Sequence, residues 1–127
     1  MNITQINKQR IALTEIPLPV VFDKYFNTLG YFDYDDNFPK NYSFESAHPL
    51  QDPTTKAMWN FLIKIGLFDA TYQIYHISPC TQERKVITSI SVPSLSYMHS
   101  FSLAGRYIVL IDYPLRAKDP KAIADGF

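Results

Sequence analysis

"YMHSFSLAGRYIVLIDYPL", residues 97–115, decides how this chain is read. Aromatic and β-branched residues crowd it, and Ala104-Gly105 interrupts it. The two halves, 97–103 and 106–112, read as strands joined in a hairpin. His99 stands in the first half. Side chains alternate along a strand, so His99 shares a face with Tyr97, Phe101 and Leu103. A lone histidine on such a face is either a core imidazole satisfied by a backbone partner or a metal ligand. These residues leave both readings open.

The same texture extends towards the N-terminus. "VITSISV" (86–92), "TYQIYHI" (71–77) and "RIALTEI" (10–16) read as strands, and "TLGYFDYDD" (28–36) as a strand end entering an acidic turn. Residues 36–53 and 78–85 are polar, turn-forming stretches. One segment conflicts with a uniform β reading. In "KAMWNFLIKIGLF" (56–68), Met58, Phe61, Leu62 and Ile65 fall at helical spacing, with Thr54 and Thr55 placed to cap. Short strands between frequent turns otherwise suggest a sandwich, barrel or propeller.

Composition narrows the function classes. The 127 residues suit one ordinary domain, and 46% hydrophobic residues supply a core. Twelve basic residues balance twelve acidic ones, so no basic stripe points to nucleic acid. Cys80 is the only cysteine, which excludes a disulfide framework or cysteine metal cluster and leaves an inert loop thiol. The N-terminus has no apolar signal core. No run approaches the roughly 20 apolar residues of a membrane helix. A cytoplasmic protein, touching a membrane at most peripherally, is expected.

His48, His76 and His99 form no HxH or HExxH pair, so local spacing alone yields no metal motif. His48 lies in "ESAHPLQDPTT", where Pro49 forces extended geometry on it. Taken together, "ESAHPLQDPTT" and "YMHSFSLAGRYIVLIDYPL" resemble the carotenoid cleavage oxygenase family, which includes relatives of the retinal pigment epithelial isomerohydrolase. The resemblance rests on Ala47-His48-Pro49, Asp52-Pro53, Met98-His99-Ser100-Phe101 and Pro114-Leu115, with the two histidines 51 positions apart. "LTEIPLPVVFDKYFNTLGYFDY" (13–34) is similar to a third family stretch and carries Glu15, 33 positions before His48. The resemblance as a whole covers about residues 11–127.

The resemblance implies an all-β fold, part of a seven-bladed β-propeller. In the family, four histidines hold one iron(II) ion, which with O₂ cleaves a conjugated double bond of a carotenoid or apocarotenoid. By resemblance, His48 and His99 are two of the iron ligands, and Glu15 is a neighbouring carboxylate that holds an imidazole in its ligating tautomer. The family pattern makes 57–68 a strand despite its helical spacing. His76 matches no ligand and is read as surface or packed beside Tyr75, and Trp59 as packing. A blade takes roughly 40–50 residues, so residues 1–127 amount to a single propeller segment of two to three blades. Two of the four ligands have no counterpart here. The non-haem iron dioxygenase reading therefore has an alternative: a non-catalytic fragment or interaction piece. It would pair with a complementing fragment or self-associate. A small metal-free β-barrel for a hydrophobic ligand ranks last, because it leaves both histidine motifs unexplained.

Overall fold

The computed structural model describes residues 1–38, 44–66 and 68–116, and every regular helix or strand among them is a β-strand. β1 (Asn2–Ile6) and β2 (Gln9–Leu13) pair antiparallel through a two-residue turn. That turn, Asn7-Lys8, has φ of 44° and 67°, the left-handed geometry whose twist suits a tight hairpin. β2 stops at Leu13, three residues short of the expected end. The Thr14 hydroxyl accepts the Ile16 N–H at 3.2 Å, a local bond that competes with the ladder, and Pro17 and Pro19 follow. β3 (Val20–Phe22) and β4 (Thr28–Tyr31) complete a four-stranded meander in the order β1-β2-β3-β4.

The second sheet contains β5 (Phe44–Glu45), β6 (Leu50–Gln51), β7 (Met58–Ile65), β8 (Ala70–Ile77) and β9 (Arg84–Val92). Its order is β5-β7-β8-β9, with β6 also on β7. The segment 57–68 thus forms a strand over Met58–Ile65, with Leu67 outside the described residues. Its helical spacing is accidental. β7 is central and buried on both faces, so its apolar residues run almost continuously rather than alternating with polar ones. Met58 and Leu62 enter the core shared with Ile6, Ile11 and Leu13 of the first sheet. Phe61 and Ile63 face the opposite way, towards Leu95, Met98 and Phe101.

The C-terminal hairpin is shorter than expected. β10 (Ser102–Ala104) and β11 (Tyr107–Val109) pair through Gly105-Arg106 rather than Ala104-Gly105, with Gly105 at φ 59°. His99 therefore lies outside any strand. Side chains hold this approach in place of a ladder. The Tyr72 hydroxyl donates to the Ser96 carbonyl at 2.7 Å, and the Ser96 hydroxyl to the Tyr113 carbonyl at 2.8 Å. The expected common face breaks down as well, because Phe101 is buried while Tyr97 and His99 are exposed. No helix among the described residues is long and apolar enough to cross a membrane.

Candidate metal centre

β5 and β6 pair with the same strand, as one strand interrupted. Glu45 opposes Leu62 and Leu50 opposes Trp59. Between these pairs, Ser46-Ala47-His48-Pro49 faces only Asn60 and Phe61, so two residues bulge out of the ladder. A bulge re-aims a side chain, and here it carries His48. Two bonds bridge the interruption. The Ser46 N–H donates to the Phe61 carbonyl at 3.2 Å, and the Asn60 side-chain amide to the Ser46 carbonyl at 2.8 Å. The Asp52-Pro53 part of the motif builds the next turn, where the Asp52 carboxylate accepts the N–H groups of Thr54 and Thr55 at 2.7 and 2.9 Å. Those threonines cap a turn, not a helix.

His48 and His99 meet. Their ring centroids are 4.4 Å apart, with the planes inclined at 55°. Glu15 is there too, its backbone carbonyl accepting the Glu45 N–H at 3.0 Å. Its carboxylate lies 2.8 Å from His99 Nδ1 and accepts the Tyr97 hydroxyl at 2.7 Å. An Nδ1–H donated to Glu15 leaves His99 Nε2 unprotonated, the form in which an imidazole ligates a metal. Burial pushes the Glu15 carboxyl up, but the bonds from Tyr97 and His99 outweigh it and hold the group below its ordinary range. Burial, then the neighbouring His99, pull His48 below the usual histidine value, which favours its neutral form.

This donor set fits a metal such as iron in part: two imidazoles converge, and one has its remote nitrogen fixed by a carboxylate. No cluster of three His, Cys, Asp or Glu side chains able to hold a metal gathers among the described residues. Beside Glu15 and Tyr97 lies a cavity of about 60 Å³ lined by Phe44, Phe61, Ile63, Leu95 and Met98 among others. His76 belongs elsewhere. It sits on β8 opposite Trp59, and the two rings stack at 5.1 Å and 27°. Tyr75, the neighbour expected for it, points to the other face and into the core. Cys80 is exposed and free.

Tyr97, Ser46 and Asn60 escaped the sequence reading. Tyr97 had a signal, its place two residues before His99. Asn60 had one too, as a lone amide within the apolar run of β7. Ser46 had none, because a serine near a turn is commonplace.

On the far side of the bulge, Glu45 enters the seam between the sheets and is 2% exposed. One carboxylate oxygen accepts the Tyr75 hydroxyl, and the other has no hydrogen-bond partner. Burial pushes this carboxyl up to about 7, against the lowering effects of Tyr75 and Arg84. Arg84 itself grips Asp36 through two bonds of 2.7 and 2.8 Å, with its guanidinium 3.9 Å from the Tyr34 ring centre.

Residues 1–126 match the family model described as retinal pigment epithelial membrane protein, RPE65. Carotenoid cleavage dioxygenase 8, chloroplastic, of Arabidopsis thaliana is 30% identical over 96 residues, covering 70% of this chain and 15% of that protein. A variant of the Synechocystis apocarotenoid oxygenase superposes with a TM-score of 0.72 at 22% identity, over 86% of this chain and 24% of that one. The cobalt-substituted Synechocystis enzyme gives 0.67 at 21%, with the same coverage. The chain thus spans about a quarter or less of the length of these relatives. The shared architecture is part of a seven-bladed β-propeller.

Proposed function

This chain belongs to the RPE65 family, that of the carotenoid oxygenases, and from that premise we propose that it carries part of the metal centre of an iron(II)-dependent carotenoid dioxygenase. The substrate is a carotenoid or apocarotenoid. One conjugated C=C bond breaks and two C=O bonds form, with O₂ supplying both oxygens. The observation that carries the reading is the 4.4 Å approach of His48 and His99, with His99 Nδ1 on Glu15. These residues lie 33 and 51 positions apart in sequence, yet the fold brings them to one point.

His48 and His99 would hold the iron, and Glu15 would keep His99 in its ligating tautomer. Bound iron(II) supplies the binding and activation of O₂. The protein's own contributions are orientation and the exclusion of water by apolar walls. Residues 1–127 form one propeller segment in this reading, and two more imidazoles come from outside it. Their source is a complementing segment or a second copy of the chain.

The test is anaerobic reconstitution with iron(II), desalting, then assay of iron content and of apocarotenal products. The chain by itself is expected to hold far less than stoichiometric iron and to form no product. His99→Ala is expected to weaken the residual metal affinity about tenfold or more, while His76→Ala leaves it unchanged. Equal affinities for the two variants would overturn the ligand assignment.

A further inference from the structure

We propose that Ser46 is a positioning residue, a single hydroxyl that clasps the His48 and His99 segments together and sets the distance between their rings. The proposal rests on the reading of those rings as a metal centre.

The Ser46 hydroxyl donates to the His99 carbonyl at 2.9 Å and accepts the His48 N–H at 3.1 Å. A hydroxyl offers one donor and two acceptor sites, so both bonds form at once. The two partners are the backbones of the two imidazole-bearing residues. Neither residue lies in a strand, so no ladder bond fixes their separation. The clasp takes that place.

Ser46 is itself held rigidly. It is 2% exposed. Its N–H is bound to the Phe61 carbonyl and its carbonyl to the Asn60 amide. Asn60 is 1% exposed, on the central strand of the sheet. Every polar atom of Ser46 is engaged, and a shift of its backbone would break bonds on β7. The chain of contacts runs from β7 through Asn60 and Ser46 to both imidazole segments. Alanine removes only the last link. Threonine retains the hydroxyl.

A matched control is available in the same fold. Ser96 is 1% exposed, and its hydroxyl donates to the Tyr113 carbonyl at 2.8 Å. Ser96→Ala therefore removes a comparable bond, three residues before His99, that reaches neither the His48 nor the His99 backbone. A general loss of stability would affect both alanine variants alike.

The experiment uses the full chain and cobalt(II) as the probe. Cobalt affinity is measured by titration calorimetry. Ring-to-ring nuclear Overhauser contacts between His48 and His99 are recorded without metal. Ser46→Ala is expected to raise the cobalt Kd about tenfold and to weaken the ring contacts. Ser46→Thr and Ser96→Ala should stay within about twofold of the parent. Histidine ¹⁵N shifts should show the His99 tautomer unchanged in Ser46→Ala, because Glu15 sets it independently. A Kd within twofold and intact ring contacts in Ser46→Ala would overturn the clasp. So would an equal loss in Ser96→Ala. A parent chain that binds cobalt too weakly to titrate is what two of four imidazoles allow, and it leaves the metal reading standing. The ring contacts still decide the clasp: their loss in Ser46→Ala alone supports it, and their persistence overturns it.

Discussion

Glu45 and His48 stand three residues apart on one interrupted strand, yet they serve opposite kinds of polar cluster. Glu45 turns into the seam between the sheets with Tyr34, Tyr75, Arg84 and Asp36, where the Arg84 and Asp36 side chains are 10% and 5% exposed. His48 turns out to His99 and Glu15, whose side chains are 51% and 38% exposed. Each cluster contains a glutamate bonded to a tyrosine hydroxyl. Burial pushes one carboxyl up to about 7, whereas its hydrogen bonds hold the other below its ordinary range. The difference is solvent. In the seam the charged form loses its hydration and the acid keeps its proton to higher pH. At the imidazole cluster the carboxylate remains partly wet and keeps its charge. The seam therefore carries stability, and the open cluster carries geometry.

The sharpest way to break that contrast is Arg84→Ala. It leaves Asp36 buried without its cation and removes the stack over Tyr34. Breaking a buried ion pair from one side costs about 3–5 kcal/mol. Urea unfolding should show this as a large fall in midpoint. A change below about 1 kcal/mol would mean that the seam is not what joins the two sheets.

Glu45 sharpens the contrast through pH. The folded chain holds the Glu45 proton up to about 7, whereas the unfolded chain releases it near 4.5. Stability is therefore full below that lower value and is lost as pH rises to about 7, amounting to about 3 kcal/mol. Asp36, facing Glu45 across the seam, acts oppositely. Burial raises its carboxyl, but Arg84 outweighs this and depresses it, so its contribution is lost only as pH falls below the ordinary aspartate range. Urea midpoints from pH 5 to 8 should fall for the parent chain and not for Glu45→Gln, in which the depressed His48 leaves a rise towards the ordinary histidine value. Parallel profiles would show that Glu45 is ionised in the fold.

The two regions were not equally legible in the sequence. His48, His99 and Glu15 were found because each sits in a motif whose spacing is similar to the family's. The seam was invisible. Glu45, next to a serine in a turn-rich stretch, gives no sign of burial, and its partners come from β8, β9 and the loop after β4. The strands 71–77 and 86–92 were plain from their β-branched and aromatic content. β1 and β3 went unread, the one among polar residues and the other behind two prolines. The helical spacing of β7 conflicts with its strand, which only the family pattern discloses, because a strand buried on both faces has no period of two to display. His99 was misplaced on a strand because alternation continues in the sequence where the ladder does not.

The smallest effect on stability is expected at Glu15, and it separates geometry from stability most cleanly. Glu15→Gln replaces a carboxylate in a half-exposed pair. Such pairs contribute about 0–1 kcal/mol, so the urea midpoint should barely move. The amide differs from the carboxylate in one respect. It can donate as well as accept. Donation to His99 Nδ1 would stabilise the tautomer with hydrogen on Nε2, the nitrogen that must be free to hold a metal. Histidine ¹⁵N shifts should therefore show a mixture of His99 tautomers in place of one, and cobalt(II) affinity should fall about tenfold. Tyr97→Phe removes a hydroxyl from the same carboxylate oxygen but offers no competing donor, so it should leave the tautomer intact and change affinity less than threefold. If Glu15→Gln instead lowers stability strongly while leaving tautomer and affinity unchanged, Glu15 is a structural group like Glu45, and the division between the two clusters fails.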